Sequence, residues 1–327
     1  MARTRAVSFS KIGGPEVLEY IDIELPPPGI GEVQIKHAAI GLNFIDIYFR
    51  TGIYKAPHLP FVTGKEAAGT VTAVGPGVEE FKVGDRVAYA GSDGAYSVER
   101  NIETKHLVKV PEEIPLETAA SMMLKGMTAE YLLNRTYKVG PGKMILFHAA
   151  AGGVGLIAGQ WAKALGATVI GTAGSDSKVR LALEHGYDHV INYNTENFAE
   201  RVREITGGAG VHVVYDSIGR DTFPQSLDCL GRFGMFVSFG QSSGPIENFT
   251  LAMLAQRGSL FATRPTLFTY VATREELTNC ANALFDVVLS NKVRININQT
   301  YPLSEVGRAH MDLESRKTTG TTLLIPE

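Results

Sequence analysis

One stretch constrains the fold of this 327-residue chain more than any other. Met144-Ile145-Leu146-Phe147-His148 runs into Ala149-Ala150-Ala151-Gly152-Gly153-Val154-Gly155 and on into the unbroken helical periodicity of Val154 to Leu165. An apolar run, a glycine turn and an amphipathic helix, in that order, open a βαβ unit. The missing side chains carry the chemistry. Without a Cβ, Gly152 lets a pyrophosphate approach the backbone and Gly155 lets the helix pack on the strand, while the first N–H groups of the helix face the phosphate charge. Ala150 stands where the dinucleotide fingerprint has its first glycine.

The alternation continues downstream. Ala167 to Ala173, His189 to Ile191, Val211 to Tyr215, Met235 to Phe239 and Ser259 to Thr263 read as further strands. Val154 to Leu165, Lys178 to His185, Glu196 to Ile205 and Thr222 to Leu230 are each long enough for a crossover helix. That succession predicts an α/β fold with a doubly wound parallel sheet of the Rossmann type. The first third reads differently. Val33-Gln34-Ile35-Lys36 alternates, and Gly69 to Val74 and Gly84 to Tyr89 are β-branched runs cut by glycine, so this part is expected to be mostly β. Leu116 to Arg135 reads as a helix after Pro111 and Pro115; Arg274 to Asn291 and Ser304 to Glu314 read as helices, and Thr321 to Ile325 as a last strand. The expected domains are 126–264 for the Rossmann sheet and 1–125 for the β-rich part, completed by 265–327.

With 31 Lys plus Arg, 34 Asp plus Glu and a formal charge of −3, neither a disordered chain nor a sequence-blind polyanion binder is expected, so nucleic acid is disfavoured as a partner. Cys229 and Cys280 make neither a disulfide framework nor a metal-ligand spacing, which suggests a reducing compartment. No apolar stretch of signal-peptide length follows Arg3 and Arg5. The most apolar window, Met144 to Ala158, is glycine-rich, contains His148 and is shorter than the roughly 18 to 20 residues of a membrane span. A cytoplasmic protein without a membrane partner is the expectation.

The tip of the second Rossmann strand bears on the choice of cofactor. NAD enzymes carry an Asp or Glu there for the ribose diol. Here the chain reads Thr172-Ala173-Gly174-Ser175-Asp176-Ser177-Lys178. A small uncharged tip, hydroxyls and a cation suit a 2′-phosphate, so NADPH is expected. Asp176 reads as the N-cap of the following helix and not as a ribose ligand. For Lys178 the plain alternative is a solvated helix lysine.

The segment Gly142 to Gly155, continued by Gln160-Trp161-Ala162-Lys163, resembles the signature of the zeta-crystallin-like quinone oxidoreductases of the medium-chain dehydrogenase/reductase superfamily. The likeness runs from Gly13-Gly14-Pro15-Glu16-Val17-Leu18 through Gly41-Leu42-Asn43-Phe44-Ile45-Asp46 to Glu314-Ser315-Arg316. It implies a GroES-like β-rich domain beside the Rossmann domain, an active site in the cleft between them, a homodimer, and hydride transfer from NADPH to a quinone or similar electrophile. In the zinc-dependent branch, the position of Asn43 would hold a Cys, and Gly64-Lys65-Glu66 would read Gly-His-Glu. An amide and an ammonium cannot ligate zinc, so no metal is expected. A quinone is electrophilic enough to accept hydride without a Lewis acid.

Carried over residue by residue, the resemblance implies that Asn43 and Tyr48 lie by the nicotinamide and the acceptor, with Tyr48 as proton donor or polariser, and that Thr128 starts a helix near the cofactor. It places Gly152, Gly153 and Val154 at the pyrophosphate and Gly174, Ser175, Lys178 and Tyr193 around the 2′-phosphate. Ser217, Phe239, Gly240 and Ser242 would follow the fourth and fifth strands along the cofactor, with Arg264 after the sixth and Arg316 reaching back from the terminal segment. The plain alternatives are core packing for Phe239 and Tyr48, a surface charge for Arg316, a helix-capping or helix-face role for Thr128, and a satisfied turn at Asn43.

Three other classes compete. Gly240-Gln241-Ser242-Ser243-Gly244 matches a hydrolase nucleophile elbow, but Pro245 follows where a helix must begin and His310 is the only histidine downstream. A structural or RNA-binding protein that merely holds NADPH is a second alternative, and a reductase of enal or enone C=C bonds a third. The glycines Gly207, Gly208 and Gly210 read as a helix stop, the run Glu196 to Glu204 as a solvated helix face, and both cysteines as small apolar residues packed in helices.

Overall fold

A computed structural model describes Ala2–Glu327. The chain begins with β1 (Ala2–Phe9), β2 (Glu19–Leu25), β3 (Glu32–Gly41), α1 (Phe44–Thr51), β4 (Phe61–Val62), β5 (Glu66–Val74), β6 (Arg86–Ala90), β7 (Glu99–Glu103), β8 (Val108–Lys109) and α2 (Leu116–Tyr131). It continues with β9 (Met144–Phe147), α3 (Gly153–Ala164), β10 (Thr168–Ala173), α4 (Asp176–Leu183), β11 (His189–Asn192), α5 (Phe198–Ile205), β12 (Val211–Asp216), α6 (Gln225–Asp228), β13 (Leu230–Ser238), α7 (Leu251–Gln256), β14 (Phe261–Thr263) and α8 (Leu267–Tyr270). The last elements are α9 (Arg274–Leu289), β15 (Ile297–Pro302), α10 (Val306–Glu314) and β16 (Thr321–Ile325).

Two compact units result. The first comprises Met1–Met127, Val271–Leu289 and Ile295–Glu327, the second Thr128–Tyr270 and Ser290–Arg294. In the first, a seven-stranded sheet runs β15-β16-β3-β5-β6-β8 with β7 also on β3, and β2-β1-β4 forms a smaller antiparallel sheet. The alternation seen at Val33 and Ile35 buries both side chains in a core with Val7, Val71, Val87, Tyr89, Tyr96 and Leu324. Period-two burial of this kind drives an antiparallel sheet with one covered face.

The second unit is a six-stranded parallel sheet ordered β11-β10-β9-β12-β13-β14. Counted from its own first strand the order is 3-2-1-4-5-6, that of the Rossmann fold, with the switch point beside β9. Leu146, Ile170, Ile191, Val214 and Phe236, one from each of the five strands β9 to β13, meet in its core. Among the described residues no helix is long and apolar enough to cross a membrane.

The elements depart from expectation at four places. The crossover read at Thr222 to Leu230 is a single turn, α6, and Leu230 already belongs to β13. Thr222 and Ser226 turn their hydroxyls to Asp216, and Pro224 has no N–H for a helix interior, so local bonding wins over helix propagation. Cys229 is therefore a buried C-cap residue instead of a helical one. The helix read to Arg135 ends at Tyr131 and widens into a π-turn over Leu132–Thr136, where the Leu132 carbonyl accepts from the Tyr215 hydroxyl at 2.9 Å. Finally, α9 stops at Leu289, two residues before a left-handed Asn291.

Candidate active site

In the Rossmann unit the turn after β9 is built on its backbone. Ala149 adopts a left-handed φ of 53°, and its carbonyl accepts the Gly152 N–H at 2.9 Å. The special conformation thus falls on Ala149, one residue before the position matched to the first fingerprint glycine. No sequence signal marks an alanine for that conformation. Gly152 caps α3 with no side chain, so the first N–H groups of the helix receive no side-chain acceptor. A Cβ on Gly155 would stand 2.3 Å from the Ala149 oxygen and 2.6 Å from that of Ala150, so the helix approaches the turn as closely as backbone allows. A bare, uncapped helix start is a fit cradle for an anionic pyrophosphate.

At the tip of β10, a Cβ on Gly174 would meet the Tyr193 hydroxyl at 2.4 Å. Ser175, not Asp176, is the N-cap of α4: its Oγ accepts from the Lys178 N–H at 3.4 Å and lies 3.0 Å from Ser177 Oγ. Asp176 is the first residue of α4, and its carboxylate accepts from Asn192 Nδ2 at 2.8 Å. Both residue types cap helices well, so adjacency in sequence hid which of them does so. Gly174, Ser175, half-buried Lys178 and exposed Tyr193 therefore cluster at the C-terminal ends of β10 and β11.

At the same end of the parallel sheet, across β9, the loops after β12 and β13 interlock. The Ser242 N–H donates to the Ser217 carbonyl at 3.0 Å, Gly240 is so close to Ser217 that a Cβ would meet its oxygen at 2.8 Å, and the Phe239 ring lies 5.5 Å from that of Phe147. Arg264, just past β14, donates to the Ser238 carbonyl at 3.1 Å. Gly240 to Gly244 is a turn, with the Gly244 N–H bonded to the Gln241 carbonyl, and no helix follows Ser242. A nucleophile elbow is absent there. Thr128 is buried in the last turn of α2, which begins at Leu116, so it does not start a helix. The run of Ala, Met and Leu holds the helix through Gly126, whose missing side chain admits Leu284.

Sequence reasoning missed the anchor beneath these loops. Asp216, buried at the end of β12, accepts N–H bonds from Ile218 and Gly219 at 2.8 and 3.0 Å on Oδ1. Its Oδ2 accepts from Thr222 and Ser226 hydroxyls at 2.7 and 2.8 Å. Ser226 Oγ lies 3.0 Å from His148 Nε2, and His148 Nδ1 lies 2.9 Å from Thr172 Oγ1, so strand ends β9, β10 and β12 are tied together. Burial holds the His148 imidazole below its ordinary pKa. The only sequence signal was a carboxylate closing an apolar strand.

In the first unit, Asn43 caps α1, and its N–H donates to Asp46 Oδ2 at 2.9 Å. Its Nδ2 donates to Glu66 Oε2 at 2.8 Å and to the Gly41 carbonyl at 3.3 Å. Fully buried Glu66 also accepts from the Leu124 N–H and from Lys125 Nζ, both at 2.8 Å. Asp46 Oδ2 accepts a second bond from Tyr96 at 2.9 Å; Tyr96 lies 3.0 Å from His310 Nε2, and Arg50 Nη1 lies 3.4 Å from His310 Nδ1. Arginine can only donate, so Nδ1 accepts, Nε2–H donates to Tyr96 and Tyr96 O–H donates to Asp46. Arg50 closes the chain on Glu314 at 2.7 Å. Burial, only partly offset by the Asn43 and Tyr96 bonds, pushes the Asp46 carboxyl up to about 7.

Tyr48 is buried, with its ring edge-on to Tyr54 at 5.3 Å and tilted against Phe44 at 6.4 Å. Arg316 is exposed in a left-handed conformation just past α10. Lys65 Nζ lies 2.5 Å from Asp93 and 4.8 Å over the Phe49 ring. Asn43 thus spends its side-chain N–H groups on a carboxylate and a carbonyl and keeps only a neutral amide oxygen, and Lys65 is an ion-paired ammonium with no lone pair; neither is among the Cys, His and carboxylate donors that hold zinc. Among the described residues no group of three or more His, Cys, Asp or Glu could hold a metal ion.

Two family models match: "Alcohol dehydrogenase GroES-like domain" over residues 29–142 and "Zinc-binding dehydrogenase" over residues 153–284. The quinone oxidoreductase of Salmonella typhimurium is 53% identical over 323 residues, covering 98% of this chain and 99% of that one. This chain belongs to the quinone oxidoreductase family. A 2-haloacrylate reductase from a Burkholderia species, 46% identical over 332 residues with 98% and 99% coverage, is a further relative. The crystal structure of Escherichia coli quinone oxidoreductase complexed with NADPH superposes with a TM-score of 0.97 at 51% identity, covering 99% of this chain and all of that one. The name of the second model mentions zinc, but an amide at Asn43 and an ammonium at Lys65 do not suit that ion.

Proposed function

We propose that this protein reduces quinones by hydride transfer from NADPH, with no metal ion taking part. The observation that carries the reading is the near-identity of its fold to an NADPH-bound quinone oxidoreductase, and the bare start of α3, which suits an anionic pyrophosphate, supports it. Bound NADPH supplies the hydride; the protein supplies position and exclusion of water. In this reading Gly152, Gly153 and Val154 receive the pyrophosphate, and Gly174, Ser175, Lys178 and Tyr193 hold the 2′-phosphate. Thr128, Ser217, Phe239, Gly240, Ser242, Arg264 and Arg316 line the rest of the cofactor. Asn43 and Tyr48 lie by the nicotinamide and the acceptor, and Tyr48 polarises the acceptor oxygen. The reading includes a homodimer in the cytoplasm, with the Rossmann unit as cofactor domain and the β-rich unit as catalytic domain.

The likeness to a 2-haloacrylate reductase favours a second acceptor class, alkenes activated by a neighbouring carbonyl. An assay of NADPH consumption with quinones, enones and simple alcohols tests both. Turnover is expected with quinones, slower turnover with activated alkenes, and none with alcohols in the reverse direction. NADPH binding with no turnover on any acceptor would replace this reading with that of a non-catalytic NADPH-binding protein.

A further inference from the structure

Lys125 is a buried ammonium at the end of a short chain of bonds. Only 5% of the residue is exposed, and among the described residues the ammonium's only hydrogen-bonding partner is Glu66, at 2.8 Å. Glu66 in turn holds Asn43 Nδ2 and the Leu124 N–H. A lysine ammonium has three N–H groups, so two are left to donate. Burying an ion pair gains little over an apolar pair of the same size, and leaving polar hydrogens unmatched in a buried place is costly. A buried cation with spare donors suits a site that receives an anion.

We propose that Lys125 is a catalytic cation that stabilises the negative oxygen formed on the acceptor during hydride transfer, a role that rests on the quinone reductase reading. The transfer breaks one C–H bond of the reduced nicotinamide and forms one bond to hydrogen on the acceptor. The electron pair displaced from the acceptor's π system ends on a carbonyl oxygen, as a hydroquinone monoanion or an enolate. Lys125 donates to that oxygen, Glu66 holds the ammonium in place, and a proton from water then completes the product. The ammonium does the electrostatic work that a metal ion performs in Lewis-acid catalysis.

The decisive variant is Lys125→Met with Glu66→Gln, which removes both charges while the amide oxygen in place of the carboxylate still accepts from Asn43. Its fold and NADPH affinity are expected to match the wild type by circular dichroism and fluorescence titration. Its kcat/KM should fall about 100-fold with 2-cyclohexenone and only about tenfold with 1,4-benzoquinone, since the weaker electrophile needs more stabilisation of the oxygen. Independently of turnover, 4-nitrophenol added to the NADP+-saturated wild type should bind as the phenolate, with its absorbance titrating at lower pH than in buffer, and this shift should vanish in the variant. Lys125→Gln with Glu66→Gln is a second pair should the first fail to fold. Equal losses across acceptors, or unchanged nitrophenolate binding, would overturn the proposal. A wild type that turns over no acceptor refutes the reductase reading instead, and the nitrophenolate titration still reports on Lys125.

Discussion

Gly155 and Ala149 meet so closely that a Cβ on the glycine would lie 2.3 Å from the alanine's carbonyl oxygen, whereas a Cβ on Gly152 would lie 3.2 Å from that same atom. The two glycines therefore serve different ends. Gly155→Ala forces backbone apart and is expected to destabilise the protein by about 1–3 kcal/mol. Gly152→Ala keeps an extended backbone that alanine adopts readily and should cost less than about 1 kcal/mol, yet lower NADPH affinity at least tenfold by placing a methyl group where the phosphate approaches. Thermal unfolding and calorimetric titration separate the two effects.

Lys178 lies on the first turn of α4 behind the Ser175 cap. Lys178→Ala is expected to weaken NADPH at least tenfold and to leave NADH nearly unchanged, because only the former carries the 2′-phosphate. Dissociation constants for both cofactors check this. A variant that keeps its preference would move the phosphate contact to other residues.

Tyr48→Phe keeps the ring packing on Tyr54 and Phe44 and removes only the hydroxyl. Turnover with a quinone should fall roughly tenfold at constant NADPH affinity, within the range of a lost hydrogen bond to the reacting group. Unchanged kcat would show the tyrosine to be packing alone.

The buried titratable groups of the first unit oppose one another in their effect on stability. Burial pushes Asp46 up to about 7 from 3.8, so its contribution is complete below 3.8 and is lost as the pH rises toward 7. Burial holds His37 at about 4 and His310 at about 3, below 6.5, so their contributions are complete above 6.5 and are lost as the pH falls. Between pH 4 and 6.5 the two histidines outweigh the single carboxyl, and stability should rise with pH. Asp46→Asn removes the opposing group and should steepen that rise. Urea midpoints at pH 5 and pH 7 measure it; an equal or shallower slope in the variant would show that Asp46 does not titrate in this range.

The backbone side of the candidate site was legible because it depends on what glycine lacks. Gly152, Gly155 and Gly174 announce close approach wherever they sit between a strand and a helix. The parallel sheet was legible from the alternation of apolar strands and helices. The polar anchors were not, since they join residues distant in sequence. Arg50 and His310 are 260 positions apart, and Glu66 and Lys125 are 59 apart. Asp216 lost its signal in a strand that is apolar but for His212, and the shortness of α6 follows from hydroxyl bonds to that same aspartate.

Initial rates of NADPH oxidation, measured with 1,4-benzoquinone against a no-acceptor control and followed together with hydroquinone formation, test the central claim most directly. A saturable, quinone-dependent rate yielding one hydroquinone per NADPH, and surviving prior treatment with a chelator, is predicted. No quinone-dependent oxidation, or a rate abolished by the chelator and restored by zinc, would contradict it.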